Sequence, residues 1–414
     1  MRSPVEVVAP ARFGLPFRWL LASSWASNLG DGLAIAAGPL LVASQTHDPF
    51  LVALAALFQW LPPFLFGLWA GVLADRLDRR AIMITVNLAR IAVIVVIAAT
   101  IVTDTVSIAV VLCSLFLLGS AEVFADNTAS TLMPMIVRRD DLAVANSRLT
   151  FGLITVNQLA GPPIGAALFA VGMAWPFAAQ AMVMALSVAL VGRVVLPPHG
   201  RETEEHPPVW HDVVEGVRWV LHHAAVRTLV LTIFIFNITF GAAWSVLVLY
   251  SLRRLGLGEV GFGLLTTFGA AGGLVATAAY GWITARVSLG NLMRIGLVIE
   301  TLTHLALALT TVPWVAMAIF FVFGAHAFVW GTTSVTVRQR AVPTQLQGRV
   351  GSVNMIGTYG GLVVGSLAGG LIARQWGVTG PFWFAFAGSA LFVVLIWGQL
   401  RHIAHADEES VTAG

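Results

Sequence analysis

The sequence predicts an all-α integral membrane protein whose twelve transmembrane helices form two pseudo-symmetric six-helix bundles. The first observation is composition: of 414 residues, 58% are hydrophobic and 10% are charged, with a mean hydropathy of +0.86. Such a chain cannot cover itself with an ordinary polar surface. The second is a series of apolar runs of about 20 residues or more, enough for a helix to cross a hydrocarbon core of about 30 Å. The third is a repeat of charged loops between the two halves of the chain.

Hydropathy divides the apolar part of the chain into twelve predicted spans. They cover residues 17–44, 51–74, 81–102, 106–132, 146–171, 174–196, 228–252, 259–282, 291–311, 314–337, 349–374 and 380–400. Span 1 is about twice as long as the apolar region of a signal peptide, so we expect it to stay in the mature chain. All 23 basic residues are arginine, and all but Arg90, Arg253, Arg254 and Arg374 lie towards the side of the termini. That side is therefore predicted to be cytoplasmic.

The longest polar connection separates predicted spans 6 and 7. It divides the chain into an N-terminal bundle (residues 1–196), a cytoplasmic linker (197–227) and a C-terminal bundle with a short tail (228–414). Within the linker, apolar residues recur at helical spacing on the side opposite Asp212 and Glu215; they are Trp210, Val213, Val214, Val217, Val220 and Leu221. This pattern predicts an amphipathic helix on the inner membrane surface.

The two halves repeat a pattern of charged loops. GVLADRLDRR after span 2 corresponds to GWITARVSLG after span 8, with Gly71 matching Gly281 and Arg76 matching Arg286. STLMPMIVRRDDLAVANSRL after span 4 corresponds to SVTVRQRAVPTQLQGRVGSV after span 10. A parallel repeat of six spans is typical of transporters in which one half rocks against the other.

Missing side chains and motifs exclude several classes of function. A chain without lysine has no Walker A nucleotide site and no Schiff-base chemistry. The sequence contains neither HExxH nor GxSxG, so a zincin or a nucleophile-elbow hydrolase is not supported. Cys113 is the only cysteine, which excludes an internal disulfide. We therefore expect a protein that is not an enzyme and has no cofactor, no metal site and no nucleic-acid partner.

GxLADRxxRR between spans 2 and 3 resembles motif A of the major facilitator superfamily. NLGDGL in span 1, PMIVRRDDLAVAN after span 4 and GPPIGAAL in span 5 are similar to its drug:proton antiporter branch, which includes macrolide and enterobactin exporters. The resemblance covers the whole chain and implies the major facilitator fold. Asp78 stands where motif A usually has glycine, and Ala285 replaces the motif acid in the second copy.

The resemblance implies that motif A forms a conformational latch. Its residues here are Gly71, Asp75, Arg76, Arg79 and Arg80. The Asp75 carboxylate would face the N-terminus of span 11 when the cytoplasmic side is closed, and Arg79 is expected to pair with Asp126. Glu122 and Asp126 can instead form a structural salt-bridge cluster with Arg79 and Arg148. A further alternative is that the motif's charges only mark a cytoplasmic loop.

The span 5 motif has two interpretations. In antiporters of the superfamily, the residues matching Gly161, Pro162 and Gly165 limit leak, and the resemblance implies that role here. Asn157 and Ala166 stand where that pattern usually has glycine. Close packing also explains small residues, because they let helices approach one another, and proline bends a span.

Acidic residues inside apolar spans are the candidate proton carriers. They are Asp31, Glu122, Asp126 and Glu300. A charged acid deep in a bilayer costs at least about 2.5 kcal/mol, so each should face protein or water, or be protonated. Asp31 is preferred, because the resemblance places span 1 at the central cavity; its alternative is a hydrogen bond within the segment NLGDG. For Glu300 the alternative is an internal pair with His304, one turn away.

Polar and aromatic residues of the cavity-lining spans are the candidate substrate residues. They are Asn28, Asn237, Trp244, His326 and Trp330. The resemblance implies that spans 1, 4, 7 and 10 line the cavity. Aromatic walls with a few polar groups suit amphipathic or cationic ligands. The alternative is that the tryptophans belong to interfacial belts or to helix packing.

These observations predict a proton-coupled exporter of hydrophobic or amphipathic small molecules, such as drugs, antibiotics or siderophore-like compounds. It would work by alternating access as a functional monomer in the bacterial cytoplasmic membrane, with protons and the lipid bilayer as further partners. An uptake symporter of the same fold is one alternative. A membrane receptor or scaffold that transports nothing is the other.

Overall fold

The computed structural model describes residues 10–76, 78–194 and 209–400, and all regular elements in these ranges are helices. Ten of the described helices are long and apolar enough to cross a membrane. Two shorter apolar helices, Trp175–Val191 and Gly380–Ile396, bring the number to twelve. The predicted fold class is confirmed.

The twelve helices follow the predicted spans in chain order. They are α1 (Gly14–Gln45), α2 (Pro49–Arg76), α3 (Arg79–Val102), α4 (Ile108–Ile136), α5 (Leu142–Val171), α6 (Trp175–Val191), α7 (Ala224–Trp244), α8 (Glu259–Thr284), α9 (Leu289–Leu309), α10 (Pro313–Ala341), α11 (Gln347–Trp376) and α12 (Gly380–Ile396). Side-chain caps begin several of them. Asp78, the residue that departs from motif A, accepts from the Ala81 amide at 2.9 Å and starts α3.

Two helices are less regular than their hydropathy predicts. The middle of α5, Leu153–Ala160, is π-helical. Pro162 and Pro163 follow after Gly161 and have no N–H to donate to this turn, and a helix can widen where such hydrogen bonds are missing. The predicted span 7 also divides, because α7 ends at Trp244 and the chain continues through a short helix into the π-helical turn Tyr250–Arg254.

The helices group into two compact units. The first unit comprises Met1–Gln45, Leu65–Glu205 and Glu259–Thr267. The second comprises Thr46–Phe64, His206–Gly258 and Phe268–Gly414. In this grouping α2 and α8 each contribute a segment to both units. The division into residues 1–196, 197–227 and 228–414 stays a prediction.

Each unit has an apolar core, and much of the apolar surface remains outside it. Phe17 and Leu132 belong to a buried cluster in the first unit, and Leu229 and Leu297 to one in the second. Many leucine, valine and tryptophan side chains are exposed on the protein surface, with Trp314 among the most exposed. Such a surface suits contact with lipid.

A linker helix, Val209–His222, forms where the amphipathic pattern predicts one. Its inner face is anchored to the start of α11. Arg349 pairs with Asp212 at 2.9 Å and with Glu215 at 2.8 Å, and a Cβ on Gly216 would lie 2.6 Å from the Arg349 carbonyl. Trp210 on the other side is 74% exposed. The placement of the linker helix on the membrane surface stays a prediction.

Candidate functional site

An ion pair between α1 and α3 lies inside the first unit. Arg90 Nη2 donates to Asp31 Oδ1, and Ser27 donates to Asp31 Oδ2 at 3.4 Å. The Arg90 side chain is 2% exposed and the Asp31 side chain 13%. Asn87, one turn before Arg90, accepts from Nη1 at 3.5 Å. Because either charge alone would be costly in this interior, the two side chains hold α1 and α3 together.

Two further acids act on the same guanidinium. Glu122 and Asp126 lie one turn apart on α4, and both interact electrostatically with Arg90 and with Asp31. Among the described residues, Arg90 is the cation that these acids share. Three carboxyl groups therefore face one permanent positive charge.

A small cavity connects two of these acids with a row of polar side chains. Its volume is about 60 Å³, and Asp31, Asp126 and Asn28 are part of its wall. Several serines also line it, and Asn28 donates to the Ser24 carbonyl at 2.8 Å. At roughly 10–15 Å³ per water the space suits about five molecules. It is therefore a site for water rather than for a drug-sized ligand, which needs about 300 Å³ or more.

The structure corrects the predicted partners of the α4 acids. Their cation is Arg90, a residue without a predicted role, rather than Arg79 or Arg148. Arg79 donates to Met135 Sδ at 3.0 Å. The reason is register: α3 and α4 are consecutive and antiparallel, so the first turn of α3 meets the last turn of α4. Asp126, about 14 Å before Met135 along its helix, is then level with the middle of α3.

The Asp31 segment is fixed against the span 5 motif. A Cβ on Gly32 would lie 2.6 Å from the Asn157 carbonyl oxygen and 2.9 Å from Gly161 Cα, and one on Gly165 would meet the Leu33 carbonyl. The backbones of α1 and α5 are thus in direct contact next to Asp31. This contact gives Gly161 and Gly165 a packing role beside Pro162, and control of leak stays a prediction.

The motif A latch is only partly within the described structure. Arg80 donates to the Gly192 carbonyl at the end of α6. The backbone of α2 passes through Gly71, Asp75 and Arg76, but their side chains lie outside the described residues. The latch therefore stays a prediction.

A buried acid in the second unit pairs with a histidine. Glu300 Oε2 on α9 lies 3.5 Å from His326 Nε2 on α10, and the side chains are 13% and 4% exposed. The predicted partner, His304, is fully buried and packs at 6.0 Å, edge to face, against Trp244. The pair thus joins two helices, where the sequence predicted a pair within one.

The remaining substrate candidates pack within the second unit. Trp244 stacks on Phe240 at 4.4 Å. Trp330 and His326 both lie against Gly296, where a Cβ would be 2.5 Å from the indole and 2.9 Å from the imidazole. Asn237 donates to the Ile233 carbonyl at 2.7 Å. These contacts give each side chain a packing role, and a role in substrate binding stays a prediction.

The profile of the transmembrane secretion effector family matches residues 6–413 of the chain. The chain belongs to this family of the major facilitator superfamily. This membership agrees with the series of described helices that are long and apolar enough to cross a membrane. Relatives of the chain include three that are named uncharacterized MFS-type transporters.

Three relatives of this family member match different lengths of the chain. A 150-residue stretch, 35% of this chain and 34% of the relative, is 34% identical to an uncharacterized MFS-type transporter of Mycobacterium tuberculosis. The chain therefore matches about a third of that relative's length. The multidrug efflux pump Tap of Mycolicibacterium fortuitum is 26% identical over 89% of this chain and 91% of its own. The class C tetracycline resistance protein of Escherichia coli is 24% identical over 85% of this chain and 86% of its own.

Solved transporter structures share the fold of this family member. A bacterial homologue of the iron transporter ferroportin, in an inward-facing state, has a TM-score of 0.75 at 16% identity, covering 93% of this chain and 98% of that one. The nucleoside transporter NupG has a TM-score of 0.72 at 12% identity, and the match covers 94% of this chain and 99% of the NupG chain. At these identities the likeness shows the fold alone.

Proposed function

We propose that this protein is a transporter that exports hydrophobic or amphipathic small molecules in exchange for protons. The proton is carried by the group formed by Asp31 of α1, Arg90 of α3 and Glu122 and Asp126 of α4, which we call the α1–α4 charge cluster. The observation that carries the proposal is the ratio of three carboxyl groups, Asp31, Glu122 and Asp126, to one buried arginine, Arg90.

Charge balance is the physical argument for proton carriage. One ionised carboxylate neutralises Arg90, and each further one adds an uncompensated negative charge. In the interior of a membrane protein such a charge costs at least about 2.5 kcal/mol. Binding protons to the surplus carboxyl groups removes that cost, and the cavity beside Asp31 and Asp126 has room for a few water molecules next to them.

The same cluster offers a link between protonation and movement. A proton on Asp31 removes the charge that holds Arg90 to α1, while Glu122 and Asp126 keep the guanidinium at α4. The contact between α1 and α3 then weakens, and the contact between α3 and α4 is retained. Protonation would in this way bias the helices of the first unit towards a second arrangement.

The substrate class and the direction rest on relatives. Two of them, at 24% and 26% identity, are named a tetracycline resistance protein and a multidrug efflux pump. We extend export of such compounds to this chain. We also place the protein in the cytoplasmic membrane, with both termini in the cytoplasm and a monomer as the functional unit.

The test is transport by purified protein in liposomes with an imposed pH difference, using ethidium and tetracycline as probes. We expect the pH difference to drive both probes and each probe to move protons in the opposite direction. Asp31→Asn should abolish the coupled movement, because it removes the titrating carboxyl group. Asp104→Asn, at an exposed turn between α3 and α4, should leave it unchanged and serves as the matched control.

Other outcomes would contradict the proposal. Equal coupled transport by wild type and Asp31→Asn would remove the assigned proton carrier. Movement of probe and proton in the same direction would favour an uptake symporter. A protein that moves neither probe and shows no change in distance between spin labels on different helices would favour a receptor or scaffold.

A further inference from the structure

The interface of α9 and α10 collects polar atoms that the α1–α4 charge cluster does not use. Glu300 and His326 are paired across it at 3.5 Å. Both ring nitrogens of His304, Nδ1 of His326 and Nε1 of Trp330 are buried and have no hydrogen-bond partner among the described residues. Buried polar atoms are normally hydrogen-bonded, so these atoms are available to a further hydrogen-bond partner beside the acid.

We propose that Glu300 and His326 form a second proton-binding site, located in the second unit, with His304 as its neighbouring hydrogen-bond partner. The inference deepens the proposed function, on which its consequence for transport rests. It assigns a proton to the second unit in addition to the one carried by the α1–α4 charge cluster.

The charge of the pair changes by one unit when a proton binds. Without it, an ionised Glu300 beside a neutral His326 leaves one negative charge between two helices. With it, the proton is bonded to Glu300 Oε2 and donated to His326 Nε2, and the pair is neutral. Because a net charge in this interior is unfavourable, loading stabilises the α9–α10 contact. The partly exposed Glu300 carboxylate, rather than the more buried imidazole, is the point where the proton enters.

His304 is placed to take part in the unloaded state. It lies one turn from Glu300 on α9, a spacing at which helical side chains can touch. A neutral imidazole has one ring N–H to donate. When the proton leaves, Glu300 no longer donates to His326, and His304 can donate to the Glu300 carboxylate.

The other titratable groups around the pair are engaged elsewhere. Tyr250, in the turn that follows α7, donates to the Leu307 carbonyl of α9 at 2.7 Å. The Tyr280 hydroxyl of α8 lies 3.2 Å from the Thr333 hydroxyl of α10. The guanidinium of Arg294, on α9, lies 5.8 Å from the centre of the Trp397 ring. The arginines of α7 and α10 lie in the first or last turns of those segments, and α12 (Gly380–Ile396) has no titratable side chain. The pair is therefore the acid–base site of this interface.

A proton suits this site better than a metal ion. Among the described residues, the group whose ligand atoms lie within 4.8 Å of one another is His211, Asp212 and Glu215 on the linker helix. There both acids are already paired with Arg349. The α9–α10 residues do not form such a ligand set in the described structure, whereas the separation of Glu300 and His326 is within reach of a shared proton.

The test is pH-dependent infrared difference spectroscopy of the full chain in lipid nanodiscs, which reports protonated carboxyl groups directly. We expect Glu300→Gln to remove one carboxyl band that wild type gains on acidification. Glu259→Gln, at the start of α8, is the control and should keep that band. His326→Gln should shift the pH at which the band appears, because the paired imidazole no longer shares the proton. His304→Gln should shift it less.

Folding and function are separated from this readout. Each variant is first checked by its thermal unfolding and its monodisperse elution, and the conservative Glu300→Asp should retain a titrating band if Glu300→Gln is unstable. Identical spectra for wild type and Glu300→Gln would overturn the inference while leaving a proton on Asp31 intact. A titrating Glu300 in a protein whose export is insensitive to Asp31→Asn would instead contradict the proposed function. In liposomes, Glu300→Gln should lower the number of protons moved per ethidium by one.

Discussion

Arg90 balances the charge of three carboxyl groups, so its removal should be far more damaging than removal of one acid. Arg90→Ala leaves Asp31, Glu122 and Asp126 without their shared cation, and breaking a buried pair in this way costs about 3–5 kcal/mol. Asp31→Asn should cost less, because Arg90 keeps two acids. Thermal unfolding of the purified protein in detergent measures both losses.

The pH dependence of this effect has a definite sign. As the pH falls, the unpaired acids of Arg90→Ala bind protons and become neutral, so the difference from wild type should shrink. Arg253→Ala, which removes an exposed arginine near His47, should unfold like wild type at every pH. If the loss of stability in Arg90→Ala grew as the pH fell, the three acids would not depend on this cation.

At the residue scale the sequence identified the acids but not their partners. Asp31, Glu122 and Glu300 could be identified from the sequence, because an acidic residue within an apolar span is costly and therefore indicates a functional or structural role. Arg90 also lies within an apolar run. Its partners could not be predicted, because pairing across helices depends on register that a single sequence does not contain. His326 was likewise expected to face ligand, while the structure pairs it with Glu300.

Contact between α1 and α5 leaves no room for a side chain at Gly32. We expect Gly32→Ala to destabilise the protein by about 1–3 kcal/mol, because its methyl group would overlap the backbone of Asn157 and Gly161. Gly281→Ala in α8 is the matched control, since nothing lies within 4 Å of its added Cβ. It should be neutral or more stable by up to about 1 kcal/mol. Unfolding temperatures of the two variants decide between overlap and a general intolerance of glycine replacement.

Helix positions were predictable from hydropathy, and their irregular turns were not. The predicted span 81–102 became Arg79–Val102, and span 174–196 became the shorter Trp175–Val191. The π-helical turns in α5 and after α7 left no trace in the pattern, because apolar residues on all sides of a helix hide its period. The amphipathic pattern predicted the linker helix, but it did not predict the ion pairs between that helix and Arg349.

The orientation of the whole molecule is a prediction from arginine distribution. Green fluorescent protein fused after Gly414 should fluoresce, because it matures in the cytoplasm, and alkaline phosphatase fused there should be inactive. A phosphatase fusion after Asp104, in the connection between α3 and α4, should be active. The reverse pattern would place the arginine-rich loops outside.

The fold of the whole molecule was predictable because lipid leaves few solutions. Backbone groups in a hydrocarbon core must bond within a helix or a closed barrel, so long apolar runs fix the fold class. The resemblance of GxLADRxxRR to motif A then pointed to the superfamily, which the match over residues 6–413 confirmed. Substrate choice has no comparable constraint, since it depends on a few side chains in a cavity.

The wide turns of α5 contain spare chain length. Its eight π-helical residues, Leu153–Ala160, advance through about two turns, which about seven α-helical residues would also complete. Loss of one residue here can therefore be absorbed by tightening, with Gly161 and Gly165 still facing α1. The same loss inside Gly161–Val171 would rotate everything after it by about 100° and turn part of the small-residue surface away from its neighbour. Within one helix, length variation should thus be tolerated before the proline pair and rejected after it.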